Sequence, residues 1–386
     1  MPRLSRVKFL VAVFLAFLFV FGGLWPAEAE ELEIKGQSYI LIEAESGQVV
    51  ASKEPDKKCY PASITKIMTL VLTLEELAAG NVSLEDKVVT SETAESMGGS
   101  QVYLEVGEER TLHEMLIAIA VGSGNDASVA VAEFIAGSET AFVELMNNKA
   151  KELGMENTNF VNSHGLHDDN HYTSAADMAR IAMYAISVPK FLEYTSIYEY
   201  QFRPDPKPLV LWNTNKLLKW YGGTDGMKTG YTAKSHYNLV ATAQRENLRF
   251  ISVVLGVQER NGHYNESIKL LNYGFNNYKY NLIYDEGAKI CEVPVAKGKY
   301  ETVQLVAAKK VGLAQAKKEA GEITTKIEIN KNLQAPLAEK TQVGEIVVLS
   351  DGVEVKRVGL LAEKEVPRAG LMQFWWSVCQ AILSLA

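Results

Sequence analysis

The chain has 386 residues, of which 47% are apolar and 22% charged, enough for two domains with real cores. A formal net charge of −8 lacks the basic footprint that nucleic-acid binding needs, so no nucleic-acid partner is expected. The three cysteines, Cys59, Cys291 and Cys379, are far apart and odd in number, with no Cys-x-x-Cys or Cys/His cluster. Neither a disulfide framework nor a zinc site is indicated.

The first 29 residues read as a leader. Arg3, Arg6 and Lys8 form a basic start, residues 9–25 carry no charge, and Ala27-Glu28-Ala29 offers the small residues a signal peptidase reads. That site favours cleavage after Ala29 over retention as an anchor, and either outcome exports the protein. Removing three basic residues and one acidic one leaves a net charge of −10.

Residues 37–44 alternate toward an apolar face, Glu45-Ser46-Gly47-Gln48 is a turn, and residues 49–53 resume, which spells a β-hairpin. Pro61-Ala62-Ser63-Ile64-Thr65-Lys66 then runs into Ile67, Leu70, Val71, Leu74 and Leu77 at helical spacing, stopped by Gly80. With Pro61 just outside, Ser63 falls in the first helical turn, where its N–H is unpaired and the helix dipole favours negative charge. Lys66, three residues on, stacks on the same face, close enough to take a hydroxyl proton. Alone, the pair is equally a capping serine beside a solvated lysine. Its partners downstream decide between them.

Thr111-x-x-Glu114 is a capping box opening an apolar helix over 112–121, broken at Gly122-Ser123-Gly124-Asn125 before another over 126–135. The break suits a plain helix–helix turn, and it also pushes Ser123 and Asn125 out of an apolar interior. An amphipathic helix spans 138–153. The loop 162–171, with His164, His167 and His171 among acids, lacks a helical His-x-x-x-His pair and reads as hydrogen-bonded turns rather than a metal site. A further helix covers 175–186, and Pro204, Pro206 and Pro208 mark a stiff connector. Thr224 to Tyr231 holds Lys228-Thr229-Gly230 on a strand entering the pair 237–244 and 248–257, with residues 245–247 as their turn. Glycine there lets a ligand backbone approach closely. A helix over 263–278 completes the region.

From residue 284 to 365 short alternating runs, such as 303–307, 323–329 and 345–349, read as a separate small β domain, most simply a sandwich. Residues 371–386 carry no charge. Gln373, Ser377, Gln380 and Ser384 make one narrow polar stripe, and Phe374-Trp375-Trp376 suits a membrane interface. Sixteen residues are too few to span a bilayer, so this tail, with residues 366–370 before it, reads as a peripheral amphipathic helix. Docking on the protein's own core is the competing reading.

Ser63-x-x-Lys66, Ser123-Gly124-Asn125 and Lys228-Thr229-Gly230 occur in the order found in penicillin-binding proteins and class A β-lactamases. With the leader, β domain and tail, the chain resembles the low-molecular-mass penicillin-binding proteins that are serine-type D-alanyl-D-alanine carboxypeptidases. The resemblance implies an α+β catalytic domain over 30–283, an antiparallel sheet flanked by helices, followed by the all-β domain and the terminal amphipathic helix. It implies Ser63 as nucleophile and Lys66 as base on a peptidoglycan stem ending in D-alanyl-D-alanine. Ser123 relays a proton to the leaving D-alanine, and Asn125 holds the substrate amide. Lys228 and Thr229, beside Gly230, grip the terminal carboxylate, and the N–H groups of Ser63 and Tyr231 form the oxyanion hole. β-Lactams acylate Ser63, and neither cofactor nor metal is implied.

Two departures stand out. Some members carry an arginine between two asparagines where Thr214 lies between Asn213 and Asn215, and many have Ala-Gly where this chain has Ser235-His236. A β-lactamase is disfavoured, since no Glu-x-x-Leu-Asn-like loop lies between the second and third motifs. A D,D-endopeptidase acting on cross-links uses the same residues, and the intact motif residues argue against a non-catalytic wall-binding protein.

Overall fold

The computed structural model describes residues 32–204, 207–318, 321–330 and 332–370; the leader over 1–29, Pro206, and the tail helix over 371–386 with Cys379 lie outside them. The expected hairpin forms from β1 (Ser38–Glu43) and β2 (Val49–Lys53), its turn pinned by Glu43, whose carboxylate accepts the Ser46 N–H at 2.8 Å and hydroxyl at 2.6 Å. Helix α1 (Lys66–Ala78) follows, buried along Ile67, Leu70, Val71 and Leu74. The mixed polar stretch after it yields β3 (Lys87–Val89), a single turn α2 (Glu92–Glu95) and β4 (Glu109–Thr111), which pairs with β3.

Helix α3 (Leu112–Ala120) starts at the expected capping box: Thr111 Oγ1 accepts from the Glu114 N–H, and the Glu114 carboxylate accepts from the Thr111 N–H. Then come α4 (Asn125–Ala136), α5 (Glu139–Glu152), α6 (Ala175–Ser187) and the short α7 (Phe191–Thr195). The stretch read as a stiff connector falls within a hairpin, β5 (Glu199–Arg203) with β6 (Leu209–Trp212); Pro204 and Pro208 sit between the strands, not in them. One turn of helix, α8 (Leu217–Trp220), leads into β7 (Thr224–Thr232), β8 (His236–Arg245) and β9 (Leu248–Val257). Arg245 pairs with Leu248 instead of lying in the turn, because Glu246 takes φ +53 and tightens the connection to two residues.

These strands form one antiparallel sheet in the order β2-β1-β9-β8-β7. Alternation along β9 places Ile251, Val253 and Leu255 on the face covered by the main helical core. Phe250 on the other face packs edge-on to Phe275 of α9 (Gly262–Asn277), whose Gly274 leaves room for the ring. A sheet buried on both faces is rigid, which suits a strand that must carry reacting groups.

The chain passes from α9 straight into β10 (Tyr278–Tyr284), which pairs with β13 (Val311–Ala316). The all-β region thus begins before residue 284, where the sequence texture changes. A second sheet has the order β11-β12-β16-β15-β14, formed by β11 (Lys289–Pro294), β12 (Thr302–Ala307), β14 (Ile323–Ile329), β15 (Gln342–Ser350) and β16 (Val353–Ala362). Leu305, Val311, Ile346, Val348 and Leu360 make a separate core between the two sheets, a small sandwich. Lys356 Nζ meets Glu45 at 2.5 Å, and Lys310 Nζ donates to Asn247 at 2.7 Å, joining the β region to the turns of the large sheet.

Candidate active site

Ser63 does not lie in the α-helix. It sits in a 3-10 turn, Ala62–Thr65, with Pro61 at its start and Ala62 at φ +52; α1 begins only at Lys66. Three residues per turn eclipse positions i and i+3, so the tighter winding still aligns the pair. Ser63 Oγ lies 3.3 Å from Lys66 Nζ.

Two glycines and an asparagine fix this turn from outside. Gly165, at φ +90, passes so close that a Cβ would fall 2.0 Å from the Ala62 carbonyl oxygen. A Cβ on Gly230 of β7 would meet the Pro61 oxygen at 2.7 Å and the Ser63 nitrogen at 3.0 Å. The site strand thus lies flat against the nucleophile's own backbone. Asn238 on β8, wholly buried, donates to the carbonyls of Tyr60 and Pro61, each at 2.9 Å, and accepts the Gly256 N–H at 2.8 Å.

Lys66 is fully buried and donates to Asn125 Oδ1 at 2.6 Å and to the His164 carbonyl at 2.6 Å. Burial, and then the neighbouring Lys228 ammonium, hold its pKa well below the ordinary lysine value, with Asp126 opposing. Asn125 opens α4, and its Nδ2 donates to the Gly98 carbonyl at 2.7 Å, which fixes the amide with its oxygen toward the lysine. Ser123 is buried just before that helix at φ +60, the strained backbone of the break between α3 and α4. Asp126 stiffens the facing segment by accepting from the backbone of Val102 at 3.0 Å and Leu104 at 3.1 Å.

On β7, Lys228 is buried, its ammonium donates to the Thr229 carbonyl at 3.2 Å, and burial pushes its pKa down to about 7. Thr229 Oγ1 donates to Thr214 Oγ1 at 2.7 Å. The asparagines beside Thr214 are buried structural groups: Asn213 Nδ2 donates to Ile197 at 2.8 Å, and Asn215 Nδ2 to Gly226 at 2.9 Å. Tyr231 is exposed and stacks on Tyr237 with centroids 4.4 Å apart. Ser235-His236 closes the β7–β8 turn: Ser235 Oγ accepts the Thr232 N–H at 2.9 Å, and His236 adopts φ +55, a position glycine fills without strain.

Direct contacts join Ser63, Lys66 and Asn125, and Gly230 lies against the Ser63 turn; Lys228, Thr229 and Tyr231 share the Gly230 strand, and Ser123 precedes the helix that Asn125 opens. What the sequence reading missed is main-chain chemistry in the histidine-rich loop. His164 contributes a carbonyl, and its ring accepts the Leu166 N–H at 3.1 Å; His171 bonds Thr65 Oγ1 at 2.8 Å. Burial holds both imidazoles far down, His164 to about 3 and His171 to about 4, so they are neutral. Asn238 was missed too, though an asparagine inside an apolar strand run was a signal available to read.

A sheet-borne lysine and threonine, a clamped serine with a buried amine, and a helix-start asparagine define an active-site-serine scaffold of the penicillin-binding type. Comparison with known proteins agrees. Residues 26–259 match Peptidase S11, D-alanyl-D-alanine carboxypeptidase, and residues 278–368 match the penicillin-binding protein 5 C-terminal domain. The chain belongs to this S11 carboxypeptidase family. It is 41% identical over 349 residues to D-alanyl-D-alanine carboxypeptidase DacF of Bacillus subtilis, covering 89% of each chain. Escherichia coli DacA is 35% identical across 87% of this chain and 84% of its own. Among solved structures, penicillin-binding protein 5 of Haemophilus influenzae superposes with a TM-score of 0.68 at 35% identity, covering 87% of this chain and 98% of that one. PBP3 of Streptococcus pneumoniae gives 0.75 at 27% identity, covering 86% and 100%.

Proposed function

We propose that this protein is a serine-type D-alanyl-D-alanine carboxypeptidase that trims peptidoglycan pentapeptide stems, with Ser63 as nucleophile and Lys66 as its base. The surroundings of Lys66 Nζ carry the reading. A neutral amine has two N–H bonds and one lone pair, and two pure acceptors, Asn125 Oδ1 and the His164 carbonyl, take the N–H bonds. The lone pair is left for the third neighbour, the Ser63 hydroxyl at 3.3 Å. Burial and Lys228 hold the amine's pKa well below the ordinary lysine value, in the direction of the neutral form that a base needs.

Ser63 Oγ attacks the carbonyl between the two D-alanines while its proton passes to Lys66. The N–H groups of Ser63 and Tyr231 receive the oxyanion. Collapse breaks the amide bond, the D-alanine amine leaves with a proton relayed through Ser123, and Asn125 holds the acyl-side amide. Water then hydrolyses the Ser63 ester. Lys228 and Thr229 bind the terminal carboxylate, which raises the Lys228 pKa from about 7 and secures its charge. β-Lactams, which present a strained amide and a carboxylate at the same spacing, acylate Ser63 and leave slowly.

We further propose export through the leader over 1–29, a catalytic domain ending near the start of the β region, and peripheral attachment to the outer face of the cytoplasmic membrane by residues 371–386. Among the described residues no helix is long and apolar enough to cross a membrane. Deleting 371–386 should move the protein from the membrane fraction to the soluble one; unchanged partitioning defeats that assignment.

The activity is tested with mature protein, which should release D-alanine from diacetyl-Lys-D-Ala-D-Ala and label with a fluorescent penicillin. Ser63→Ala should abolish both. Cys59→Ser should abolish neither, because that thiol is buried beside Thr173, with its pKa pushed up by burial. Wild-type protein silent in both assays sinks the proposal.

A further inference from the structure

The larger sheet of the β region has two edges, and they are built differently. At one, β11 carries Pro294 and a register shift between Lys289 and Cys291, devices that stop a further strand from pairing. At the other, β14 runs Ile-Thr-Thr-Lys-Ile-Glu-Ile in unbroken register against β15. It has no proline and no bulge, and among the described residues no strand pairs with its outer side.

The alternation of the ladder decides which backbone groups that side presents. Asn330 donates its N–H inward to the Val343 carbonyl at 2.8 Å, so bonding to β15 falls on the even-numbered residues. The N–H and C=O groups of Thr325, Ile327 and Ile329 therefore point away from the sheet. The same three residues lie on the inner face of the sandwich, where Thr325 is opposite Val348 and Ile327 opposite Ile346, both core residues. Core packing stops short of the edge, leaving Ile327 39% and Ile329 36% exposed. An apolar ledge joined to an open row of donors and acceptors is a template for one more strand.

The residues of the edge select that strand. When β14 lies antiparallel to a copy of itself with Ile327 opposite Ile327, Thr325 falls opposite Ile329 of the copy. Every outward-pointing N–H then meets an outward-pointing C=O, and the isoleucines gather on the inner face. On the other face Lys326 falls opposite Glu328 of the copy, twice by symmetry. A slip of two residues either way keeps the hydrogen bonds but sets Lys326 against Lys326 or Glu328 against Glu328. Charge thus specifies one register.

We infer that β14 is a self-association edge, through which two copies of this chain pair antiparallel about Ile327 and join their β domains in one continuous sheet. A pairing of seven-residue strands falls short of the roughly 1,200 Å² of a standard interface, so the dimer is a weak and reversible one.

Sedimentation velocity of the mature full-length protein in detergent micelles should show reversible dimers, with a dissociation constant on the order of 100 µM. A protein still monomeric at ~1 mM overturns the inference. Lys326→Glu sets acid against acid in both pairs, and Glu328→Lys sets base against base. Each should weaken association about tenfold or more, and a mixture of the two should restore it. Both side chains are exposed, and Arg357 keeps Glu345 and Glu354 in the second variant, so the fold tolerates either change. In Cys59→Ser/Cys291→Ser/Cys379→Ser protein, Ile327→Cys should form a disulfide-linked dimer under mild oxidation, because that position faces itself. Thr324→Cys, at an exposed position ~20 Å from its copy in this register, should not. Charge changes without effect, a mixture that stays monomeric, or equal cross-linking at both positions means association through another face and overturns the inference.

Discussion

Lys228→Met should make the protein more stable while weakening, without abolishing, its grip on the substrate carboxylate. The ammonium is buried, and its pKa falls from 10.5 to about 7 on folding. Each unit is worth about 1.4 kcal/mol, so at pH 7 the native state bears a penalty of ~4 kcal/mol for this one group. Methionine matches the stem in volume and forfeits only the bond to the Thr229 carbonyl, worth ~1 kcal/mol. A net gain of about 2–4 kcal/mol at pH 7 is expected. Above the unfolded value of 10.5 the lysine is neutral in both states and the penalty vanishes; it builds as pH falls from there and levels off below about 7. Urea unfolding of wild type and variant at pH 7 and pH 10 measures the difference directly, with m-values as a check that the same surface unfolds. A variant no more stable than wild type at pH 7, or a gain that does not shrink toward pH 10, would falsify the reasoning.

The other expectations concern the nucleophile and its base. Lowering pH should slow acylation by fluorescent penicillin as Lys66 takes up a proton. In Lys228→Met that acid limb should move to higher pH, since a neighbouring charge that holds the Lys66 pKa down is gone; an unmoved limb defeats the coupling. Gly165→Ala should cost ~2–4 kcal/mol and cut the acylation rate on the order of 100-fold, because the new methyl group collides with the Ala62 carbonyl. Near-normal labelling would show that the turn can move aside. Asn238→Leu strands the Tyr60 and Pro61 carbonyls and the Gly256 N–H, so a loss of ~2–4 kcal/mol is expected by urea titration. Its effect on catalysis should appear in kcat more than in KM, and a pure KM effect would remove Asn238 from the positioning of Ser63.

Much of this was legible in the residues. The capping box at Thr111 and Glu114, the first hairpin and the strands around Lys228 follow local rules that tertiary packing did not override. Ser63 was placed one element too late, because the spacing that marks a helical pair also fits a 3-10 turn and Pro61 marks either start equally well. The β5–β6 hairpin escaped notice because its prolines dominate the local pattern while the strands beside them are short. Hardest to foresee were Gly165 and the His164 carbonyl. A main-chain oxygen leaves no mark on a sequence, and Gly165 earns its place only through Ala62, about a hundred residues upstream.

The clamp on the Ser63 turn also sets when in the protein's life the serine becomes reactive. Its three holders come from distant parts of the chain: Gly165 from the loop before α6, Gly230 from β7 and Asn238 from β8. The sheet that carries the last two closes only when β9 joins β1. A partly made or partly unfolded chain therefore has the serine and the lysine but not their alignment. Covalent capture by a β-lactam thus reports completed tertiary closure, and the stem-trimming chemistry stays latent until the chain is whole.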